Sequence, residues 1–329
     1  MINIIYTPAI AKSYAGTVAK KTNFKMVDYE HIRFSCGESF SKPTDSLRGK
    51  RVVVLGTFNP ETASEDALRL QIMLDGLKRM EIRGVDFVLP YFPQPLEMFP
   101  LFSWMDTLTS VELPPSIYLS GKQERTVHCS LIGLLRAGMV KSMGKPVNNL
   151  DAVPLFARHF VQTAGENGSV MVSVDQQHLS ERLRQRVPAD FGFAQLDFIR
   201  SKSGKRIVGE KLIGDIAGKR AVLLKREVES REFLRRIVAR LKEGQVGEIH
   251  LGIVHPVFPN EVLRELSENE AISSVVTTDT TGIPGENFLK DGKVQDFQAP
   301  APPAKFTLLS TVELVSKAIA ALAKRVKSD

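Results

Sequence analysis

Cysteine and long apolar runs are scarce in this chain. Only Cys36 and Cys129 are present, which is too few for a disulfide framework, so a reducing cytoplasmic location is expected. No apolar stretch reaches the roughly 18–20 residues of a membrane helix, so no membrane association is expected. The segment Met1–Pro8 has no basic region before its short apolar run, so no signal peptide is expected either.

Glycine is missing from the turn where it would matter most. Residues 221–224 form an apolar run typical of a buried strand, and residues 233–241 carry apolar side chains at spacings of 3, 4 and 7, which predicts a helix. Between them lies the strand-to-helix turn 225–232, KREVESRE. Ligands of open α/β sheets bind in such turns, and phosphate cradles need small residues for close backbone approach. This composition disfavours a phosphate site.

Positive charge is concentrated in one part of the sequence. The formal net charge is +7, and residues 200–242 hold 14 Lys or Arg against 5 Asp or Glu, a local net of +9. The excess is either a solvated basic face or a surface for nucleic acid or an acidic partner. Direct nucleic-acid binding is not expected, because no interleaved aromatic residues accompany the charge.

Predicted strands alternate with predicted helices along the whole chain. This alternation indicates an α/β fold, with two similar lobes whose parallel sheets are flanked by helices. We expect an N-terminal lobe over residues 1–152, a C-terminal lobe over 153–306 and a closing helix over 307–329. Helices are predicted, among other places, over residues 61–80, 130–139, 153–163 and 311–325. A Pro/Ala linker is predicted over 295–305.

Short motifs in a consistent order give the chain a family resemblance. It resembles the phosphoribosyl diphosphate (PRPP) synthases, also called ribose-phosphate pyrophosphokinases, over most of its length. The segments that carry the resemblance are Arg33–Glu38, Leu47–Val52, Pro90–Phe92, Pro146–Leu150, Ile213–Gly218, His255–Pro256 and Thr278–Thr280. The resemblance implies a type I phosphoribosyltransferase-like fold in each lobe, assembly into oligomers, and transfer of a diphosphoryl group from ATP to ribose 5-phosphate.

The chain departs from the family where the chemistry takes place. The family's ribose-phosphate loop, Asp-Asp-x-x-Asp-Thr-Gly-Gly-Thr, corresponds to Lys225–Phe233, where only Ser230 and Glu229 retain the chemical type. Two carboxylates are replaced by cations, and bulky side chains replace the glycines. The segment after Phe92, which grips ATP in the family, contains no cation over residues 93–98.

Five residues are candidate remnants of the family's sites. Phe34, Glu38 and Ser230 are predicted nucleotide or sugar-phosphate contacts, whereas His128 and Asp175 are predicted magnesium-site remnants. Each also has a structural interpretation, as part of a turn, a helix cap or a hydrogen-bonded strand end. No catalytic residue is predicted.

Three functions therefore remain open from the sequence. The first is a non-catalytic regulatory or structural subunit in nucleotide-precursor metabolism, which would bind copies of itself or an active PRPP synthase and need no cofactor. The second is an active ribose-phosphate diphosphokinase with a rebuilt site, which would use magnesium and ATP. The third is a protein that binds another phosphorylated ligand or an acidic partner.

Overall fold

The chain folds into two compact units. The computed structural model describes residues 2–36, 39–59, 62–91, 128–133, 147–163, 168–174, 178–200, 207–228, 230–281, 289–290, 293–294 and 305–325. The first unit comprises Met1–Leu150, Thr281–Val294 and Thr311–Asp329, and the second comprises Asp151–Thr280 and Gln295–Ser310. The sequence predicted a domain boundary after residue 152. In the structure the first stretch of the first unit ends at Leu150, and the closing helix also belongs to the first unit.

The first unit is built on a parallel sheet of six strands. Its strands are β1 (Ile2–Tyr6), β2 (Lys25–Met26), β5 (Arg51–Leu55), β6 (Gly84–Leu89), β7 (His128–Gly133) and β8 (Val147–Asn149). Their order in the sheet is β2-β1-β5-β6-β7-β8. A separate antiparallel hairpin joins β3 (Tyr29–Arg33) to β4 (Ser39–Pro43). The short strands β15 (Leu289–Lys290) and β16 (Lys293–Val294) form another antiparallel pair.

Helices α1 (Lys12–Thr22) and α7 (Val312–Arg325) pack on one face of this sheet. The contact buries Ile4, Leu55 and Val88 of the strands against Val18 and Ile319 of the helices. The hydroxyls of Tyr14 and Thr311 are 2.9 Å apart within the contact. Helix α2 (Ala63–Arg79) buries Leu70, Met73, Leu74 and Leu77 of the predicted apolar stripe, whereas Met80, also predicted in the stripe, follows the helix and is partly buried.

One local prediction fails in the first unit, and one helix was not predicted. Residues 130–133 were predicted as helix but form most of β7, which pairs with β6 and β8. A short apolar run fits a buried strand or a helix, and pairing on both sides decides for the strand. Helix α1 was not predicted, because small Ala and Gly residues interrupt its apolar stripe. The rest of the predicted 130–139 helix and most of the 295–305 linker lie outside the described residues.

The second unit is built on a seven-stranded sheet in the order β11-β10-β9-β12-β13-β14-β17. All neighbours are parallel except β10 and β11, which form an antiparallel pair at one edge. The strands are β9 (Ser169–Val174), β10 (Gly192–Arg200), β11 (Ile207–Ile213), β12 (Arg220–Lys225), β13 (Glu248–Ile253), β14 (Ile272–Thr278) and β17 (Phe306–Leu309). The helices are α3 (Val153–Gln162), α4 (His178–Arg184), α5 (Arg231–Glu243) and α6 (Asn260–Glu268). Parallel sheets flanked by helices confirm the predicted fold class.

Strand β12 and helix α5 form the centre of the second unit, as the sequence predicts. Every residue of β12 is buried, and α5 buries Leu234, Ile237, Val238 and Leu241 at the predicted spacing. Burial of an aliphatic side chain contributes about 1.5–3 kcal/mol, so this stripe holds α5 against the sheet. In the part of the chain that the structure describes, no helix is long and apolar enough to cross a membrane.

Candidate functional site

The carboxyl ends of the parallel strands define the candidate site of the second unit. Strand β12 ends at Lys225, β13 at Ile253 and β14 at Thr278, and their following loops lie at the same edge of the sheet. Open α/β sheets bind their ligands at this edge. The loop from Arg226 to Ser230 connects β12 to α5 and is called the β12–α5 loop below.

Lys225 lies at the entrance of the β12–α5 loop and is buried. Only 7% of the residue is exposed, and its Nζ lies 4.7 Å from the centre of the Phe233 ring. An ammonium group in this position is attracted to the ring face, more strongly where water is excluded. The backbone is also held, because the Val254 N–H donates to the Lys225 carbonyl at 2.9 Å. Lys225 and Phe233 therefore occupy the base of the loop.

The next residues of the loop also bind one another or the core. Arg226 Nε donates to Glu227 Oε1 at 3.1 Å, and both side chains are about six-sevenths buried. The His255 N–H donates to the Arg226 carbonyl at 2.8 Å. Val228 is 3% exposed and belongs to the hydrophobic core. The described part of the loop thus turns a charged pair and an apolar side chain inward.

Ser230 caps helix α5. It has extended backbone angles, and its Oγ accepts a hydrogen bond from the Phe233 N–H at 3.2 Å. A cap satisfies one of the N–H groups that a helix start leaves unpaired. These N–H groups are the ones with which a helix start binds phosphate. The side chain of Ser230 satisfies one of them, and Glu232 adds a negative charge to the first turn.

Buried hydroxyls connect the ends of β13 and β14. Thr278 Oγ1 donates to the Val254 carbonyl at 2.6 Å, and His255 Nδ1 lies 2.8 Å from Thr280 Oγ1. Ser310 Oγ donates to Asp279 Oδ2 at 2.8 Å. Buried polar groups are usually hydrogen-bonded, and these bonds link the loops that follow β13 and β14.

Several arginines of the basic segment are paired with carboxylates in the fold. Arg235 Nε lies 2.6 Å from Glu265 Oε2 on α6, and Arg231 Nε lies 3.7 Å from the same oxygen. Arg236 Nη1 lies 3.3 Å from Glu210 Oε1 on β11. A groove of about 350 Å³ beside the loop is lined by two arginines, two glutamates and Ser230. Its formal charge is balanced, which favours the prediction of a solvated face.

Comparison with known proteins finds ribose-phosphate pyrophosphokinases among the relatives of this chain. A family model described as the N-terminal domain of ribose phosphate pyrophosphokinase matches residues 4–95. The ribose-phosphate pyrophosphokinase of Caldanaerobacter subterraneus is 26% identical over 295 residues, covering 88% of this chain and 90% of that protein. The chain is a homologue of the ribose-phosphate pyrophosphokinase family.

Other relatives agree with this result. Ribose-phosphate pyrophosphokinase 2 of Enterococcus faecalis is 26% identical over 254 residues, covering 75% of each chain. The crystal structure of phosphoribosylpyrophosphate synthetase from Mycobacterium smegmatis superposes with a TM-score of 0.76 and 18% identity, covering 99% of this chain and 100% of that one. At that identity the superposition shows the shared fold. The family resemblance read from the sequence is confirmed.

The predicted remnants of the family sites fall in different parts of the molecule. Phe34 follows β3 and is 49% exposed, and Ser230 is the cap of α5. His128 is the first residue of β7, in the six-stranded sheet of the first unit. Glu38 and Asp175 lie outside the described residues. Within the described ranges, no three His, Cys, Asp or Glu side chains are grouped closely enough to hold a metal ion.

Two residues that determine the character of this edge were not singled out from the sequence. Phe233 was read as part of the apolar stripe of α5, yet it also contacts the ammonium group of Lys225. Glu265 pairs with two arginines of α5 from a position 30 or more residues away. Neither contact has a local sequence signal, because each depends on how the loop closes and on how the two helices pack.

Proposed function

We propose that this protein is a non-catalytic member of its family, with a regulatory or structural role in nucleotide-precursor metabolism. The observation that carries the proposal is the composition and packing of the β12–α5 loop. Lys225 and Phe233 contact each other, Arg226 pairs with Glu227, and Ser230 caps the helix. In the described part of the loop these side chains bind one another or cap the helix.

The chemistry of diphosphoryl transfer requires carboxylates at the two positions where this loop has Lys225 and Arg226. A sugar hydroxyl and its magnesium need carboxylate oxygens, whereas Lys225 and Arg226 can only donate hydrogen bonds and carry positive charge. A phosphate cradle needs close backbone approach, and Arg231, Glu232 and Phe233 place bulk at the corresponding positions. The cations of the loop could attract a phosphate, but they cannot replace the missing ligands.

The ATP side of the reaction has lost its cations as well. The sequence after Phe92 runs Pro-Gln-Pro-Leu-Glu-Met and offers no clamp for the polyphosphate. Loss of one oriented transition-state contact costs about 10²–10³ in rate. Transition-state contacts that act as a unit are not additive. Loss of both the sugar-phosphate contacts and the ATP contacts therefore removes nearly all specific catalysis.

The direct test of this proposal is AMP formation from ATP, magnesium and ribose 5-phosphate. We expect none above the level of a protein-free blank, with an active ribose-phosphate pyrophosphokinase as the positive control. The double variant Lys225→Asp/Arg226→Asp should stay inactive, because the ATP clamp is missing too. Turnover of the unmodified protein at about 1 s⁻¹, an ordinary enzyme rate, would contradict the proposal and favour an active enzyme with a rebuilt site.

The partners of a non-catalytic subunit would be other members of the family. The fold is preserved while the site motifs have diverged, as expected of a scaffold that still assembles. We therefore propose a cytoplasmic homo-oligomer that also joins an active synthase. Light scattering should give at least a dimer, and mixing with the active enzyme should change its elution volume or its turnover. A monomer at micromolar concentration that leaves the enzyme unchanged would contradict this part of the proposal.

A further inference from the structure

A cluster of cationic and titratable side chains lies under the carboxyl end of helix α3, at the edge of the sheet opposite the β12–α5 loop. Arg220 opens β12 and is 5% exposed, while His250 and Glu248 belong to the beginning of the neighbouring strand β13. His159 lies in the last turn of α3. The function proposed above uses none of these residues.

Arg220 attaches α3 to the sheet. Its Nη1 donates to the Phe160 carbonyl at 3.2 Å, and its Nη2 donates to Thr163 Oγ1 at 2.9 Å. Helix ends leave carbonyl groups unpaired, and cations near a helix C-terminus are favourable. The guanidinium therefore closes the end of α3 in the manner of a C-terminal cap supplied by a distant strand.

Helix α3 lies close to strand β13 at this place. A Cβ added to Gly252 would meet the Phe156 ring at 3.0 Å and the Phe160 ring at 3.2 Å. Since side chains alternate along a strand, Glu248, His250 and Gly252 all face α3. His250 Nε2 lies 2.8 Å from Glu248 Oε2, and its Nδ1 lies 2.7 Å from Ser274 Oγ on β14.

We propose that this cluster is an acid-sensitive latch, in which protonation of His159 and His250 loosens the end of α3 from the sheet. At neutral pH the charged groups of the cluster are the guanidinium of Arg220 and the carboxylate of Glu248. Double protonation brings three positive charges against one carboxylate. Of the described groups beside the cluster, Ser274 of β14 is neutral and Arg158 of α3 is an exposed cation.

The pKa values of both histidines are shifted in the direction that the latch requires. Burial, and then the charge of Arg220, lower the pKa of His159. Burial is also the largest effect on His250, and it lowers the pKa of His250 although Glu248 opposes the shift. A folded-state pKa below the unfolded value of about 6.5 means that stability is complete above that pH and falls as the pH drops through the folded value.

Histidine NMR titration and amide exchange test the latch together. We expect the ring signals of His159 and His250 to titrate below about 6.5. After correction for intrinsic exchange, amides in the last turn of α3 should exchange several-fold faster at about pH 5.5 than at about pH 7.5. In the variant His159→Gln/His250→Gln this acceleration should disappear, whereas the control His31→Gln, in the β3–β4 hairpin, should keep it.

Two results would overturn the latch. The first is a pKa at or above about 6.5 for both histidines in the folded protein. The second is an equal acceleration of exchange at low pH in the double variant and in the unmodified protein. If the double variant is too unstable for exchange measurements, His159→Gln alone should reduce the acceleration by at least half, and no reduction would equally refute the proposal.

Discussion

Glu265 is the residue whose replacement most clearly tests how the basic helix α5 is neutralised. It is 8% exposed, contacts Arg231 and Arg235, and accepts a hydrogen bond from Asn269 Nδ2 at 2.9 Å. The two arginine side chains are 41% and 55% exposed and can turn to water when the carboxylate is removed. The variant Glu265→Ala therefore loses the partly screened ion pairs and one hydrogen bond, but also the desolvation cost of a buried carboxylate.

These opposing effects leave a net loss of about 1–2 kcal/mol in the free energy of unfolding. For a unit of this size the loss corresponds to a fall of roughly 2–8 °C in Tm. Thermal unfolding by circular dichroism measures it directly. Glu261→Ala is the matched control, because Glu261 is an exposed glutamate one turn earlier on the same helix. Equal Tm values for the two variants would refute the reasoning.

The same variant has an electrostatic consequence. Without Glu265, Arg231 and Arg235 become an exposed cationic pair beside the β12–α5 loop. Glu265→Ala should elute from heparin at higher salt than both the unmodified protein and Glu261→Ala, because polyanion affinity depends on unpaired cations. Identical elution of the two variants would mean that Glu265 does not mask the basic face.

Further substitutions test individual contacts. Ser230→Ala should lower the free energy of unfolding by about 1 kcal/mol through loss of the α5 cap, measured in urea, and Ser230→Thr should lose less. Gly252→Ala should destabilise by about 1–3 kcal/mol, because its Cβ would meet two aromatic rings of α3, whereas Gly16→Ala, which has open space in helix α1, should stabilise. Equal effects of the two glycine replacements would contradict the packing described here. Burial and Asp28 raise the pKa of Tyr6 to about 12, and burial raises the pKa of Tyr29 to about 12 as well, so an ultraviolet pH titration of Tyr6→Phe should lose one of its late phenolate transitions while that of Tyr29 remains.

The sequence predicts the elements that have strong local patterns. The apolar run of β12 and the 3, 4 and 7 spacing in α5 predicted both elements to within a few residues. The run that forms β7 was misread as helix, because only its pairing with β6 and β8 distinguishes the two. Periodicity is thus sufficient where an amphipathic pattern is long, and insufficient for short apolar runs.

Only some features of the site could be predicted from the sequence. The absence of glycine between Lys225 and Phe233 was visible, and it predicted a poor phosphate cradle. The contact of the Lys225 ammonium with the Phe233 ring was not visible, since it depends on the path of the loop. The partners of the α5 arginines were also hidden, because Glu210 and Glu265 come from other elements.

Binding of ribose 5-phosphate tests the central claim most directly. Phosphorus NMR of ribose 5-phosphate, titrated with the protein with and without magnesium, reports binding whether or not any reaction follows. We expect no saturable shift or broadening at sugar-phosphate concentrations up to about 1 mM, in contrast to an active ribose-phosphate pyrophosphokinase. Saturable binding tighter than about 1 mM that is lost in Arg226→Ala or Ser230→Ala would contradict the claim that the β12–α5 loop is occupied by its own side chains.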